Sequence, residues 1–168
     1  MNTEKTNDIK IVDLAPEMWE TYKEIRLKGL KEDPQAFGSL YIDELKFPEQ
    51  KWKERANNRL FTLAIKNGHP IGTMGAVLSD ENERTVAKIC GVYVASESRR
   101  QKIRSRLIQR ILEKIDQTSG VNIVRLDVNK NQIAAIRLYQ KFGFVKVGEK
   151  LEKRDNGEEC IELIMERQ

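Results

Sequence analysis

The segment from residue 123 to residue 144 constrains the fold of this chain more than any other part of its sequence. Residues 123–128 (IVRLDV) are rich in β-branched side chains, which predicts a half-buried strand. Asn129 and Asn131 are residue types that begin helices, and Gly143 is the type that most often ends one. Phe144 then opens a further strand. The segment therefore predicts a strand, a polar turn, a short helix and a second strand.

Four apolar or aromatic residues share one face of that predicted helix: Ala135, Leu138, Tyr139 and Phe142. Tyr139 lies one turn before the glycine. There the helix would hold the ring rigidly while the hydroxyl could still reach a cleft. By itself, a tyrosine in such a position is most often a core residue.

The whole chain has the composition of one globular domain. Its 168 residues are 39% apolar and 33% charged, and a domain of this length buries roughly two-thirds of its unfolded surface. No apolar run approaches the ~20 residues of a membrane span, and residues 1–8 show no hydrophobic signal region. We therefore expect a single domain over residues 1–168, located in the cytoplasm and without a membrane partner.

The cysteines and the single histidine argue against several kinds of site. Cys90 and Cys160 lack the spacing of a disulfide framework or a zinc site, and we expect both to be buried thiols. His69 follows Asn67-Gly68, a hairpin turn signal. We therefore expect no metal site, and hydrolases with a Ser-His-Asp triad are disfavoured.

Hydrophobic periodicity divides the chain into strands and helices without a repeat or a linker. Helices are expected to begin at Pro16, at Asp33-Pro34 and at Pro48, and a longer helix is expected over residues 99–115. This pattern predicts a mixed α/β fold with about seven strands and about four helices. The expected strands cover residues 9–14, 60–65, 71–78, 86–94, 123–128, a stretch from 144 onward, and 160–165.

Residues 99–110 hold a local excess of positive charge, although the net charge of the chain is only +4. A strand that runs through a short loop into a helix presents free backbone N–H groups, which bind anions. Cations at such a helix start face the positive end of the helix dipole, at a cost of roughly 0.3–1 kcal/mol each. Four of these cations, Arg99, Arg100, Lys102 and Arg104, fall within six residues at the helix start and indicate a polyanionic ligand there, with a solvated basic helix face as the alternative. The full cluster also includes Arg106 and Arg110.

Together these motifs resemble the GNAT family of N-acetyltransferases. The family pattern Asn-x-x-Ala-x-x-Leu-Tyr-x-Lys-x-Gly-Phe is matched from Ala135 to Phe144, with Gln132 where asparagine is usual. The order of elements along the chain is similar too, if the third helix is counted with the second. Residues 26–38 are similar to the region that forms part of the acceptor wall in such enzymes. The resemblance implies a GNAT acyl-CoA N-acyltransferase fold.

The resemblance also implies acetyl-CoA as co-substrate and a set of residues that hold it. Residues 92–94 correspond to the strand whose backbone binds the pantetheine arm and donates an N–H to the thioester carbonyl. The family loop Gln/Arg-x-x-Gly-x-Gly/Ala aligns with residues 99–104, and both of its glycine positions hold cations here. If residue 102 requires a positive φ, Lys102 carries strain on the order of 1 kcal/mol. The implied cofactor-binding residues are Val92, Tyr93, Val94, Arg99, Arg100, Gln101, Lys102, Ile103, Arg104, Ser105, Gln132 and Ala135.

Tyr139 matches the family tyrosine that protonates the leaving thiolate. An ordinary tyrosine has a pKa near ~10 and stays protonated at neutral pH, as a general acid must. The sequence identifies no general base, because several acids are equally conceivable: Asp43, Glu44, Glu81, Glu83 and Asp127.

The leading interpretation is an N-acetyltransferase in which an amine of a small molecule or a peptide attacks acetyl-CoA directly in a ternary complex. The alternative is a GNAT-fold protein with weakened catalysis that binds an anion, coenzyme A or a nucleic acid, through its basic helix. The basic motif lacks interleaved aromatic residues, and the net charge is modest, which argues against nucleic acid. The sequence identifies neither the acceptor amine nor the oligomeric state, and a homodimer stays open.

Overall fold

The computed structural model describes residues 8–154 and 156–168, so the expectations for residues 1–7 and for Asp155 lie outside the described residues. Within these described residues, seven strands and five α-helices follow one another in the predicted order, which confirms the mixed α/β class. The strands are β1 (Ile9–Asp13), β2 (Phe61–Lys66), β3 (His69–Glu81), β4 (Arg84–Val94), β5 (Val121–Asn129), β6 (Val145–Lys153) and β7 (Glu159–Arg167). The helices are α1 (Trp19–Glu32), α2 (Tyr41–Glu44), α3 (Glu49–Ala56), α4 (Ile103–Asp116) and α5 (Ile133–Lys141).

All seven strands form one sheet in the order β1-β2-β3-β4-β5-β7-β6. Neighbouring strands are antiparallel except for β4 and β5, which run parallel because α4 connects them. The predicted hairpin about Asn67-Gly68 joins β2 to β3. The chain therefore combines one parallel crossover with antiparallel hairpins on either side.

Helices cover both faces of this sheet. On one face α4 and α5 pack through Leu107, Ile111 and Tyr139. On the other face α1 and α3 pack through Ile25 and Trp52. Side chains alternate between the two faces along each strand, and β2 and β4 contribute to both cores.

β4 and β5 are paired over only part of their length. Residues 85–88 of β4 pair with residues 121–125 of β5, and no pairing joins the described residues beyond that point. β4 also bulges there, because Thr73 of β3 lies opposite Tyr93 whereas Gly75 lies opposite Cys90. Gly91 in the bulge has a φ of +62°, which glycine adopts with little strain. The sheet therefore opens at Gly91, and backbone groups of β4 are left free along that opening.

Two predicted helix boundaries are wrong. α4 begins at Ile103 and not near Arg99, because residues 99–102 form a loop in which Arg100 and Lys102 have φ of +64° and +58°. The helical stretch predicted from Asp33-Pro34 is a 3₁₀ turn followed by the four-residue α2, since the intervening Phe37 is extended. At the end of α5, Gly143 has a φ of +87°, as its predicted role as a helix stop requires.

Candidate active site

A cleft of about 900 Å³ lies at the opening between β4 and β5, on the face covered by α1 and α3. Residues 88–91 of β4 and Asp127 of β5 form its base. One wall is the stretch 34–40 after α1, which overlaps the end of the segment 26–38 predicted to form part of an acceptor wall, and another comes from the β6–β7 hairpin. Among the described residues, none of the predicted cofactor-binding residues lines this cleft.

Most of the predicted cofactor residues lie instead at the α4 and α5 side of the sheet opening. Ala135 is buried in the same core as α4, and Gln132 is exposed at the start of α5. Tyr93 points its ring the other way, toward α1, where its hydroxyl donates a hydrogen bond to Glu32. The Tyr93 side chain is therefore turned away from the opening, and its backbone is what can face a ligand there.

Tyr139 is 5% exposed and packs edge to face on Phe144, with the ring centroids 6.1 Å apart. Burial raises the pKa of its hydroxyl, and the nearby positive charge of Arg104 acts in the opposite direction with a smaller effect. The side chain therefore stays protonated at neutral pH. The ring belongs to the same buried core as Ile103 and Leu107, which lie in the first two turns of α4.

The basic cluster is smaller in the folded protein than the sequence suggests. Arg106 donates from Nη2 to the Ile9 carbonyl at 2.8 Å, and Arg110 pairs with Asp13 at 2.7 Å. These contacts tie α4 to β1, so both guanidinium groups are engaged with β1. The cations left at the start of α4 are therefore the four expected to face a polyanion: Arg99, Arg100, Lys102 and Arg104.

Three of the remaining cations, Arg100, Lys102 and Arg104, form no ion pair with the described residues. Arg100 and Lys102 are exposed in the loop, and Arg104 is half-buried in the first turn of α4. Arg99 instead donates from Nε to the Val94 carbonyl at 3.2 Å, which ties the loop to the end of β4. The loop therefore presents unpaired positive charge at the start of α4.

A buried ion cluster lies beside the cleft wall formed by residues 34–40, and sequence reasoning missed two of its three members. Glu44 is 1% exposed and accepts two hydrogen bonds from Arg26, at 3.0 and 2.8 Å, and one from Arg55 at 2.9 Å. Burial alone would raise the pKa of Glu44, but the two guanidinium groups outweigh it and hold the pKa below its ordinary value. The missed signal was Arg26, one helical turn after Tyr22 on the inward face of α1.

None of the acids considered as general bases is suited to that role. Asp127 lies 2.6 Å from Lys88 and 2.8 Å from Lys150. Burial would raise its pKa, but the hydrogen bonds from these lysines lower it. Carboxylates with lowered pKa are weak bases. The pKa values of Glu44 and of Glu81, which pairs with Arg125, are also lowered. Asp43 and Glu83 are exposed and do not line the cleft.

Cys90 also lines the cleft, and it is half-buried, as is Cys160, whereas we expected two buried thiols. Burial still raises the pKa of the Cys90 thiol, so it is a poor nucleophile.

Within residues 8–154 and 156–168, no group of three or more His, Cys, Asp or Glu side chains is placed to hold a metal ion. No helix in that part of the chain is both long and apolar enough to cross a membrane.

A profile of the acetyltransferase (GNAT) family matches residues 16–144, which include α1 through α5 and the sheet opening. The chain belongs to the GNAT family. No curated protein matches the sequence. Solved structures do match, at low sequence identity, and they establish the fold.

The GNAT chain is similar to a GNAT acetyltransferase from Streptococcus pneumoniae, with 18% identity, a TM-score of 0.79, and coverage of 95% of this chain and 98% of the other. It is also similar to yncA from Salmonella typhimurium, solved with its cofactor acetyl-CoA, at 15% identity and a TM-score of 0.77, over 96% and 94% of the two chains. A third match is a ribosomal-protein-alanine N-acetyltransferase from Brucella melitensis, at 19% identity and a TM-score of 0.76, over 94% and 98%.

The two cations in the glycine positions of the loop should respond oppositely to glycine. Lys102 has a φ of +58°, so Lys102→Gly removes left-handed strain and should raise the free energy of unfolding by up to about 1 kcal/mol. Arg104 is helical, so Arg104→Gly should lower it by about 1 kcal/mol. Urea unfolding of both variants checks this. Equal destabilisation by the two substitutions would contradict the left-handed conformation of Lys102.

Proposed function

We propose that this protein is an N-acetyltransferase that transfers the acetyl group of acetyl-CoA to an amine bound in the cleft. The observation that carries the proposal is the opening of the sheet at Gly91. The cleft lies on one face of the sheet at this opening, and Tyr139 and the α4 loop lie on the other face. An acyl donor and an amine acceptor approaching from opposite faces would meet at this opening.

The residues around the opening fit coenzyme A as the donor. The unpaired edge of β4 at residues 92–94 offers backbone groups to the amide-containing pantetheine arm. Residues 99–105 offer cations and the N-terminal amides of α4 to the pyrophosphate. Gln132 and Ala135 at the start of α5 complete the proposed site. Each unpaired cation there gains a counter-charge from the ligand.

The proposed reaction proceeds without a covalent enzyme intermediate. The amine nitrogen attacks the acetyl carbonyl carbon, so a C–N bond forms while the C–S bond breaks. A backbone N–H of β4 at the bulge stabilises the negative charge that develops on the carbonyl oxygen, an effect worth about 3–4 kcal/mol in acyl transfer. Tyr139 gives its hydroxyl proton to the departing thiolate and regains a proton from solvent. The nitrogen releases its proton to water in the open cleft, since the nearby carboxylates are paired with cations.

The alternative, a weakly catalytic protein that binds anions through a basic helix, has less support from the structure. Arg106 and Arg110 are engaged with β1, which leaves fewer cations for a nucleic-acid backbone. Nucleic-acid affinity rises with the number of phosphates neutralised. The remaining cations lie together at the start of α4, where a small polyanion would fit better than a long one.

Acetyl-CoA should raise the melting temperature of the protein. A ligand at 100 times its dissociation constant stabilises the native state by about 2.7 kcal/mol, which corresponds to about 5–10 °C for a chain of this size. Thermal unfolding with acetyl-CoA, with ATP as a control polyanion and with heparin checks this. A larger shift with acetyl-CoA than with either control supports the proposal. No shift at millimolar acetyl-CoA overturns it, and a larger shift with heparin favours the alternative.

A further inference from the structure

We propose that Arg26 binds a carboxylate of the acceptor, so that the substrates are free amino acids or other amines that carry a nearby carboxylate. The inference rests on the proposed function, because it concerns the acceptor of that reaction. It goes further by naming a chemical class: a primary amine with a carboxylate only a few bonds away.

The guanidinium of Arg26 is held in one orientation. Its Nε and Nη2 atoms donate to Glu44 at 3.0 and 2.8 Å, and the group stacks over the Phe37 ring at 4.6 Å. The remaining nitrogen, Nη1, faces the sheet opening: a Cβ atom built on Gly91 would lie 3.7 Å from it. Both Arg26 and Gly91 line the cleft. A rigid hydrogen-bond donor with a positive charge therefore stands next to the proposed reaction centre.

The charges around Arg26 leave a positive excess. Glu44 is shared between Arg26 and Arg55, so a single carboxylate faces two guanidinium groups. The side chains of Arg26 and Arg55 are only 12% and 28% exposed. A buried charge is costly unless a counter-charge and hydrogen bonds accompany it. The rings of Phe37 and Phe47 stack on the guanidinium groups without adding charge. An anionic group of a ligand would supply what the protein lacks.

The base of the cleft is unsuited to a second ammonium group, as a polyamine would bring, although Glu54 and Glu158 also line the cleft. Asp127 is the acid at the base of the cleft, and Lys88 and Lys150 already neutralise it. Lys150 also lies 3.4 Å from Glu162. Because Nη1 of Arg26 lies beside Gly91, a bound carboxylate stays close to the nitrogen that is acetylated. A short separation of this kind fits an α-amino acid better than the N-terminus of a peptide, whose nearest carbonyl carries no charge.

The decisive experiment compares matched acceptors with the wild-type protein. Each of the twenty amino acids is paired with its amide and with its decarboxylated amine, and N-acetyl products are quantified by mass spectrometry with acetyl-CoA as donor. At least one amino acid should be acetylated with a kcat/KM ten or more times that of its amide and its amine. If no acid is preferred, the inference is overturned. A preference for amides, polyamines or peptide N-termini overturns it as well, and so does a panel in which nothing is acetylated although acetyl-CoA binds.

Variants separate substrate binding from support of the fold. Arg26→Gln should raise the KM for the preferred acid at least tenfold and leave the dissociation constant of acetyl-CoA unchanged. Arg125→Gln is the matched control, because it also removes a partly buried guanidinium that pairs with two carboxylates, Glu81 and Glu166, but it does not line the cleft. It should retain the acid-to-amide preference. If both variants lose the preference equally in folded protein, Arg26 has only a structural role.

Failure of this inference and failure of the proposed function give different results. Acetylation of amides or simple amines without preference for acids supports the proposed acetyltransferase function and overturns the carboxylate-binding role of Arg26. Absence of acetyl-CoA binding overturns both proposals. The thermal shift with acetyl-CoA is therefore measured first on the same protein preparation.

Discussion

Replacement of Tyr139 by phenylalanine should lower kcat by about 10²-fold or more, because general acids typically contribute about 10²–10⁴ to a rate. The ring is 5% exposed and packs on Phe144, and phenylalanine fills the same space. The dissociation constant of acetyl-CoA should therefore stay the same. Steady-state thiol release with the best acceptor of the panel, together with calorimetric titration of acetyl-CoA, measures both quantities.

A second tyrosine provides the control for this experiment. Tyr41→Phe removes a hydroxyl from α2, away from the described cleft lining and from the predicted cofactor residues. It should leave kcat near the wild-type value. Because burial raises the pKa of Tyr139, the wild type should keep its acid through the whole range from pH 6 to about 9. If Tyr139→Phe and wild type turn over equally across that range, Tyr139 is a core residue and water is the acid.

The fold was predictable because its determinants are local. The Asn67-Gly68 turn, the alternation along β4 and the glycine at the end of α5 each depend on residues adjacent in sequence. Only one parallel crossover had to be inferred, and the basic helix between two strands indicated it. The predicted strand bounds differ from the observed ones by a few residues at the ends, because pairing with the neighbouring strand, and not local composition, sets where a strand ends.

The loop before α4 shows where local reasoning fails. Its composition of long cations is typical of a helix, and we expected one from Arg99 onward. In the folded chain Arg99 is tied to Val94, and Arg100 and Lys102 adopt left-handed conformations that residue propensities disfavour. Packing of Ile103 and Leu107 against the sheet sets the start of the helix, and that contact is formed by residues distant in sequence.

The candidate site was predictable on the donor side and not on the acceptor side. Tyr139 and the β4 edge follow from motifs within single elements. The cluster of Arg26, Glu44 and Arg55 joins three helices across 18 and 11 residues, and no sequence spacing indicates such a contact. A cation on the inward face of α1 was the only available signal, and it identifies one member without its partners.

Glu44→Gln should be among the most destabilising single substitutions in the chain. It leaves the buried guanidinium groups of Arg26 and Arg55 without their shared counter-charge. Removal of one partner of a buried ion pair typically costs about 3–5 kcal/mol. Urea unfolding at pH 7 measures the loss. The control is Glu49→Gln, because Glu49 is 59% exposed and pairs with Lys53 one turn away on α3. That pair should contribute no more than about 0.5 kcal/mol.

The pH dependence of this loss distinguishes a charge effect from a packing effect. The pKa of Glu44 in the folded protein lies below its ordinary value of 4.5. A carboxylate of this kind contributes its full stability above the ordinary pKa, and the contribution is lost as the pH falls through the lowered one. The difference in unfolding free energy between wild type and Glu44→Gln should therefore be constant from pH 7 to about 5 and shrink below pH 4.5. If the difference stays the same down to pH 3, Glu44 stabilises the fold through its shape and hydrogen bonds and not through its charge. The buried guanidinium of Arg26 would then not need a counter-charge, which contradicts the positive excess inferred there.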